Sequence, residues 1–331
     1  MENIISKKDL VDRIEGLLKD FEIIGPRELP NKGIFYQPIV NAGDLYLGDS
    51  FTVEPVKKYF LSPSEYLFKE NLEQGAKPVE ELPLPGAGRI IIGVRPCEAR
   101  GLVLLDKIFD AEYKDDFYTS NRKRSVIVGL SCLMPDKTCF CTSMGGSPAE
   151  NRGMDAILFS AGDGFIVEII TDKGKDIFGA LGSDIGKEEK KAWELDKEKR
   201  KGALEKRITA PESLDGTFES VYWQKASLAC LSCGICTYLC PVCHCFDLVD
   251  EERKKLKCYD GCAFVDFTLH ASGENPRPTK KERYRQRVFH KFEYFKKNFG
   301  ENLCVGCGRC IRHCPVKIDI ADIVDKAPLT Q

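Results

Sequence analysis

The sequence predicts an α/β domain followed by a mainly α-helical domain that is rich in cysteine. Two continuous apolar runs, "RIIIGV" (89–94) and "SVIVGL" (125–130), are typical of strands that are buried on both faces. A helical pattern over 98–109 separates them, and a right-handed crossover of this kind makes the two strands parallel neighbours. We therefore expect an α/β domain with a buried parallel strand pair over 1–210 and a helical domain over 211–331.

The other segments of the first domain follow from local patterns. Apolar residues at helical spacing predict a helix over 8–21. The short extended pieces "EIIGP" and "IFYQPIV" come next, and Pro or Gly interrupts them. Residues 157–170 turn at "GDG" and predict a hairpin. The highly charged stretch 183–207 predicts a solvated helix, which we take as the bridge between the domains.

In the second domain, long helices lead into two cysteine motifs. Residues 214–228 and 279–300 have helical patterns, and a further helical pattern follows Pro315. The basic segment 277–297 carries nine Lys or Arg residues with aromatic residues between them. Such a stripe occurs in RNA-binding proteins, but the net charge of −2 argues against nucleic acid as a partner. We expect its aromatic side to pack beside the cysteine motifs and its positive charge to offset anionic iron–sulfur centres or to meet an acidic partner.

Composition and the N-terminus indicate a cytoplasmic protein without a membrane span. Hydrophobic residues make up 43% of the chain, yet no apolar run approaches the ~18 residues that suggest a transmembrane helix. "MENIISKKDL" lacks the layout of a signal peptide. In a reducing compartment, 16 cysteines are metal ligands or catalytic groups rather than disulfides.

Two motifs share one cysteine spacing, C-x2-C-x2-C-x3-C-P, beginning at Cys230 and at Cys304. This spacing wraps a 4Fe–4S cluster, and its fourth thiolate ligates the other cluster of the pair. We therefore assign one cluster to Cys230, Cys233, Cys236 and Cys314, and the other to Cys304, Cys307, Cys310 and Cys240. Four thiolates also suit zinc, but the repeated spacing with its prolines favours clusters. The second domain is thus predicted to be a ferredoxin-like domain that holds two clusters.

A second patch of cysteines lies in the first domain. Cys97 follows the strand 89–94 and Cys132 follows the strand 125–130. The carboxyl ends of neighbouring parallel strands meet at one edge of a sheet, and the "CFC" loop with Cys139 and Cys141 can fold over that edge. These four thiols predict a third 4Fe–4S cluster. The alternative is four packed thiols, since free cysteine is a common buried residue.

Four cysteines remain, and two interpretations of them stay open. They form a further set of four and so allow a fourth cluster, or they pack around the other clusters as small apolar groups. Packing is the interpretation that we favour for Cys243, Cys245, Cys258 and Cys262.

In combination, the cysteine motifs and their flanking segments resemble a known family, the iron–sulfur subunit of cytoplasmic anaerobic oxidoreductases. It includes the β subunit of sulfhydrogenase and the corresponding iron–sulfur subunit of anaerobic sulfite reductase. The resemblance is carried by "IIIGVRPCEARGLVLLDKIF", "CFCTSMGGSP", "CLSCGICTYLCPVCHCF", "DGCAFVDFTLHASGENPRP", "ERYRQRVFHKFEYF" and "CVGCGRCIRHCPVKIDI". Cys262 fits the family pattern, whereas Cys258 has no expected counterpart there, which weakens the four-cluster interpretation.

The resemblance implies an electron-transfer subunit of a hetero-oligomer, without a catalytic site of its own. It would relay single electrons between a flavin-containing NAD(P)H- or ferredoxin-linked subunit and a catalytic subunit of the hydrogenase or sulfite reductase type. One alternative is a flavin- or substrate-binding reductase in its own right. "PGAG" (85–88) precedes a strand and is therefore no dinucleotide fingerprint. Another alternative is a redox sensor that binds nucleic acid, favoured only by the basic helix.

Overall fold

Two β-sheets organise the computed structural model, which describes residues 2–71, 79–84 and 86–327. The strands in these residues are β1 (Glu2–Ser6), β2 (Glu22–Leu29), β3 (Gly33–Pro38), β4 (Ser64–Glu70), β5 (Val79–Glu81), β6 (Arg89–Val94), β7 (Ser125–Leu130), β8 (Ala156–Ala161), β9 (Gly164–Ile169), β10 (Ser183–Asp184), β11 (Phe246–Glu251) and β12 (Lys254–Tyr259). One sheet has the order β10-β1-β9-β8-β7-β6-β2-β3 and the other the order β11-β12-β4-β5.

The centre of the larger sheet is parallel. β6 pairs with β7 in parallel, with Ile90 opposite Val126, and the pairs β2–β6 and β7–β8 are parallel as well. Every residue of β6 and β7 is buried. The predicted buried parallel strand pair of an α/β domain is therefore confirmed. The hairpin expected over 157–170 is the antiparallel pair β8–β9.

Helices cover this sheet and make up much of the second half of the chain. They are α1 (Lys7–Leu17), α2 (Pro96–Phe109), α3 (Asp116–Arg124), α4 (Asp172–Phe178), α5 (Lys187–Gly202), α6 (Tyr222–Ser227), α7 (Ile235–Tyr238), α8 (Lys280–Phe289), α9 (Phe295–Phe299), α10 (Arg309–Arg312) and α11 (Ile320–Lys326). No helix in the described part of the chain is both long enough and apolar enough to cross a membrane.

Several predicted helices differ from the observed ones at their ends. α1 ends at Leu17 rather than at 21, and α6 covers only the last part of 214–228. α2 begins at Pro96, because proline suits the first turn of a helix, and this puts Cys97 inside the helix. The helix expected over 183–207 is α5, and it is not solvated all round: Trp193 and Arg200 are buried.

The smaller sheet is a feature that the sequence interpretation missed. β12 pairs with β4, with Leu256 opposite Tyr66, so strands from both sides of residue 210 form one sheet. The mainly α-helical description of the second half is thus incomplete, since β11 and β12 lie within it. Pro85 of the "PGAG" segment lies outside the described residues.

A helical core holds the cysteine motifs. α8 continues through a π-helical turn (His290–Tyr294) into α9, as the single helix predicted over 279–300. Its buried residues Phe289 and Phe292 pack with Trp223 of α6 and with Phe140 from the first half of the chain. The basic helix therefore turns its aromatic side inward.

Candidate metal centres

The first pocket is lined by the first three cysteines of the first motif and by the last cysteine of the second, which are Cys230, Cys233, Cys236 and Cys314. Cys310 of the second motif also lies in its wall. The backbone curls around the sulfur atoms: the N–H of Ser232 donates to Cys230 Sγ at 3.4 Å, and the N–H of Ile318 donates to Cys314 Sγ at 3.3 Å. Such N–H···S contacts stabilise negative charge on sulfur. The structure thus brings together the set expected from crossed ligation.

The second pocket is lined by the complementary set. Cys304, Cys307 and Cys310 of the second motif and Cys240 of the first surround it. Lys291 and Arg287 lie in the same wall, and Lys291 Nζ is 3.4 Å from Cys240 Sγ.

The crossing follows from a short helix in each motif. Gly234 and Gly308 adopt the left-handed conformation, with φ of 75° and 69°, and start the four-residue helices α7 and α10. This conformation favours glycine. Each short helix carries the last cysteine of its motif away from the first three. α7 and α10 are in contact, so each delivers that cysteine to the other motif's pocket.

The third pocket lies at the carboxyl edge of the parallel strands. It is lined by Cys97, Cys132, Cys139 and Cys141. Cys97 comes from the first turn of α2, and Cys132 follows the end of β7. All four residues are buried. The structure therefore brings the four N-terminal cysteines to one place.

The three pockets form a row because neighbours share a wall. Cys310 lines both the first and the second pocket. Cys307 lines both the second and the third. At that second boundary, the N–H of Phe140 donates to the carbonyl of Gly306 at 2.8 Å, and Cys139 Sγ donates to the carbonyl of Cys307 at 3.7 Å.

The pockets fit a metal cluster bound by thiolates. Burial raises the pKa of the Cys139 and Cys310 thiols to about 12. Thiols in such surroundings stay protonated unless a metal replaces the proton, as coordination does. No group of three or more His, Cys, Asp or Glu within the described ranges is arranged to hold a single metal ion.

The remaining four cysteines are not brought together. Cys243, Cys245 and Cys262 lie close enough for the charge of Cys243 to raise the pKa of both others, although burial is the larger cause. Cys258 lies apart on β12, where burial, Asp247 and Asp260 raise its pKa. None of the three pockets is lined by these four residues.

Sequence reasoning missed several polar residues at the pockets. Arg287 and Lys291 were counted in the basic helix, whose positive charge was expected to offset iron–sulfur centres or to meet an acidic partner, but the pattern did not show which of its nine cations face the cysteines. Lys57 gave no signal, although its Nζ donates to the carbonyl of Cys243 at 2.7 Å. Arg309, inside the second motif, forms a buried ion pair with Glu98 beside Cys97, with 2.9 Å between Nη2 and Oε1.

Comparison with known proteins gives two matches. Residues 229–318 match the family described as a 4Fe–4S dicluster domain, a range that contains both cysteine motifs. The chain is 34% identical over 307 residues to the sulfhydrogenase 2 subunit beta of Pyrococcus furiosus, and the alignment covers 88% of each chain. No solved structure matches. The resemblance drawn from the sequence motifs is therefore confirmed.

Proposed function

The chain belongs to the family of the sulfhydrogenase 2 β subunit, and from this we propose that it is an electron-relay subunit of a cytoplasmic, anaerobic oxidoreductase complex. The observation that carries the proposal is the row of three cysteine-lined pockets with shared walls. A relay needs centres close enough for electrons to pass between them, and a single cysteine, Cys310 or Cys307, belongs to each pair of neighbouring pockets.

We assign one 4Fe–4S cluster to each pocket, with the crossed ligands for the first two and Cys97, Cys132, Cys139 and Cys141 for the third. When bound, each cluster accepts and releases one electron. The chain's own residues fix the ligands, keep water out and place positive charge nearby. Phe140, which is 1% exposed, lines the second pocket and contributes apolar surface there. No acid, base or nucleophile is needed for this function.

The two ends of the row lie near the surface. Cys233 is the exposed member of the first set, and Leu231 beside it is 62% exposed. At the other end, Pro135 lines the third pocket, and the adjoining Met134 is 69% exposed. Apolar side chains at both ends suit two docking sites. We assign them to a flavin-containing NAD(P)H- or ferredoxin-linked subunit and to a catalytic subunit.

The test is anaerobic purification of the native protein together with its partners. We expect a hetero-oligomer in which one partner contains flavin, and electron transfer through the complex that falls at least tenfold in Leu231→Glu or Met134→Glu. Leu195→Glu is the matched control, because Leu195 is 57% exposed on α5 and lines none of the three pockets. A lone monomer with NAD(P)H-dependent activity of its own would contradict the relay and favour a self-contained reductase.

A further inference from the structure

Three buried cations lie around the first cysteine motif. Arg287 lines the first and second pockets, Lys291 lines the second, and Lys57 lines neither but donates to the carbonyl of Cys243. Lys57, Arg287 and Lys291 are 2%, 5% and 3% exposed. They come from separate segments: a 3-10 helix (Val56–Tyr59), α8 and the π-helical turn. Burying one charge costs several kcal/mol unless an opposite charge or good hydrogen bonds offset the cost, so three together require an anion.

The contacts of two of these cations, Lys291 and Arg287, point to sulfur as that anion. Lys291 Nζ lies 3.4 Å from Cys240 Sγ and donates to the carbonyl of Leu303 at 3.2 Å. Arg287 Nη1 lies 3.4 Å from Cys243 Sγ, and its Nη2 donates to the carbonyl of Cys236 at 2.8 Å. Among the described residues, none of the three cations forms an ion pair with a carboxylate.

The positive charge is unequal along the row. Arg287 and Lys291 both line the second pocket, and Arg287 alone lines the first. Among the described residues, the lining of the third pocket contains no Lys or Arg and includes Phe51 and several prolines. Four arginines lie close enough to act on its cysteines, but Arg200, Arg309 and Arg312 are paired with carboxylates, and Arg95 donates to backbone carbonyls. Reduction adds one negative charge to a centre, so cations at contact distance in a buried site favour the reduced form.

We propose that the middle pocket, lined by Cys240, Cys304, Cys307 and Cys310, holds the highest-potential centre of the row because Lys291 and Arg287 stabilise its reduced form. This inference rests on the proposed relay function and adds an order of potentials to it. An electron that enters from either end comes to rest in the middle. The subunit therefore stores one electron between partners, rather than passing it steadily downhill.

The experiment is an anaerobic redox titration of the full-length protein, followed by electron paramagnetic resonance, with Lys291→Met as the main variant. Methionine fills a similar volume without charge. We expect the reduction equilibrium constant of one centre to fall at least tenfold, or 59 mV for one electron, and the other centres to change little. That centre is the one with the highest potential in the unaltered protein, and it is the signal that Cys304→Ser removes.

Two variants serve as controls. Lys297→Met removes the same charge from α9, where Lys297 is 53% exposed, and should leave all potentials unchanged. Lys291→Arg keeps the charge and should retain the high potential. If Lys291→Met fails to retain its iron, Lys57→Met replaces it, because Lys57 contacts backbone carbonyls rather than sulfur. Lys57→Met should lower the reduction equilibrium constant of the same centre, by a smaller factor than Lys291→Met.

Unchanged potentials in an iron-replete Lys291→Met protein would overturn the inference. So would a highest-potential signal that disappears in Cys139→Ser instead of Cys304→Ser. These outcomes leave the relay function intact. A chain that binds no clusters, or that works alone, would instead contradict the relay itself.

Discussion

At the scale of single residues, Cys314 belongs to the second motif in sequence but lines the pocket of the first. We therefore expect Cys314→Ser to abolish the same spectroscopic signal as Cys230→Ser, and Cys304→Ser to abolish a different one. Cys139→Ser should remove a third signal. Three clusters correspond to about twelve iron atoms per chain, and each variant should lose about four of them. Iron analysis together with electron paramagnetic resonance measures both effects.

The control for this series is Cys258→Ser. Cys258 lies on β12, away from all three pockets, so its replacement should leave the iron content unchanged. Loss of one and the same signal in Cys314→Ser and Cys304→Ser would contradict the crossed assignment. An iron content of about eight atoms in the unaltered chain would contradict the third centre.

Thiols were easier to predict from the sequence than the charges around them. The spacing of the cysteines indicates which of them share a loop. Cys97 and Cys132 each follow an apolar run that predicts a parallel strand, which indicated that they lie at the same edge of the sheet. Arg287 and Lys291 were visible only as part of a basic stripe. The directions in which these two side chains point depend on the π-helical turn, which changes the helical register between them. No local sequence pattern predicts that turn.

At the scale of elements, the second motif and the "CFC" loop touch through glycine. Gly306 has φ of 64°, and a Cβ atom there would lie 2.5 Å from the backbone of Phe140. We expect Gly306→Ala to push the loop of Cys139 and Cys141 away and to cost the chain about four iron atoms from the third centre. Iron analysis of the purified variant, with the signals of all three centres, is the measurement.

Gly300→Ala is the matched control. Gly300 also has a left-handed backbone, with φ of 74°, but a Cβ atom there would meet nothing within 4 Å. Its replacement should lower the free energy of unfolding by about 1 kcal/mol through backbone strain alone and leave the iron content unchanged. Equal iron loss in both variants would mean that strain, rather than contact with Phe140, disturbs the third centre.

The smaller sheet escaped prediction because its strands lack the usual signal. All residues of β11 are exposed, so the strand has no buried face to impose an alternation of apolar and polar residues. Its neighbour β12 is rich in lysine. The pairing of β12 with β4 is also remote in sequence, and a local pattern does not reveal remote partners. The buried runs of β6 and β7, by contrast, were sufficient to predict the parallel centre.

At the scale of the whole molecule, the two halves share several contacts. The sheet pairs β4 with β12, the buried Arg309 pairs with Glu98, and Glu301 accepts from Lys107 at 2.6 Å. We expect both halves to unfold together. The chain has two tryptophans, Trp193 and Trp223, both buried and one in each half, so fluorescence can report on each half separately.

The experiment uses the variants Trp193→Phe and Trp223→Phe, each of which keeps one fluorescent probe. In each variant, the midpoint of thermal unfolding followed by fluorescence should agree with the midpoint of the loss of visible absorbance from the clusters, as two-state unfolding requires. Phe in place of Trp lowers the midpoint in each variant, so each protein is compared with its own visible signal. Separate fluorescence and absorbance transitions in either variant would contradict a single cooperative unit.

The pairing of β4 with β12 has a consequence for the nascent chain. β4 is complete once the ribosome has added Glu70, but β12 ends at Tyr259. At about 5–20 residues per second, β4 waits roughly 10–40 s for this partner. During that time, one edge of the strand has unpaired backbone groups that can pair with another polypeptide. The lysine and glutamate side chains of β4 oppose such encounters while translation continues.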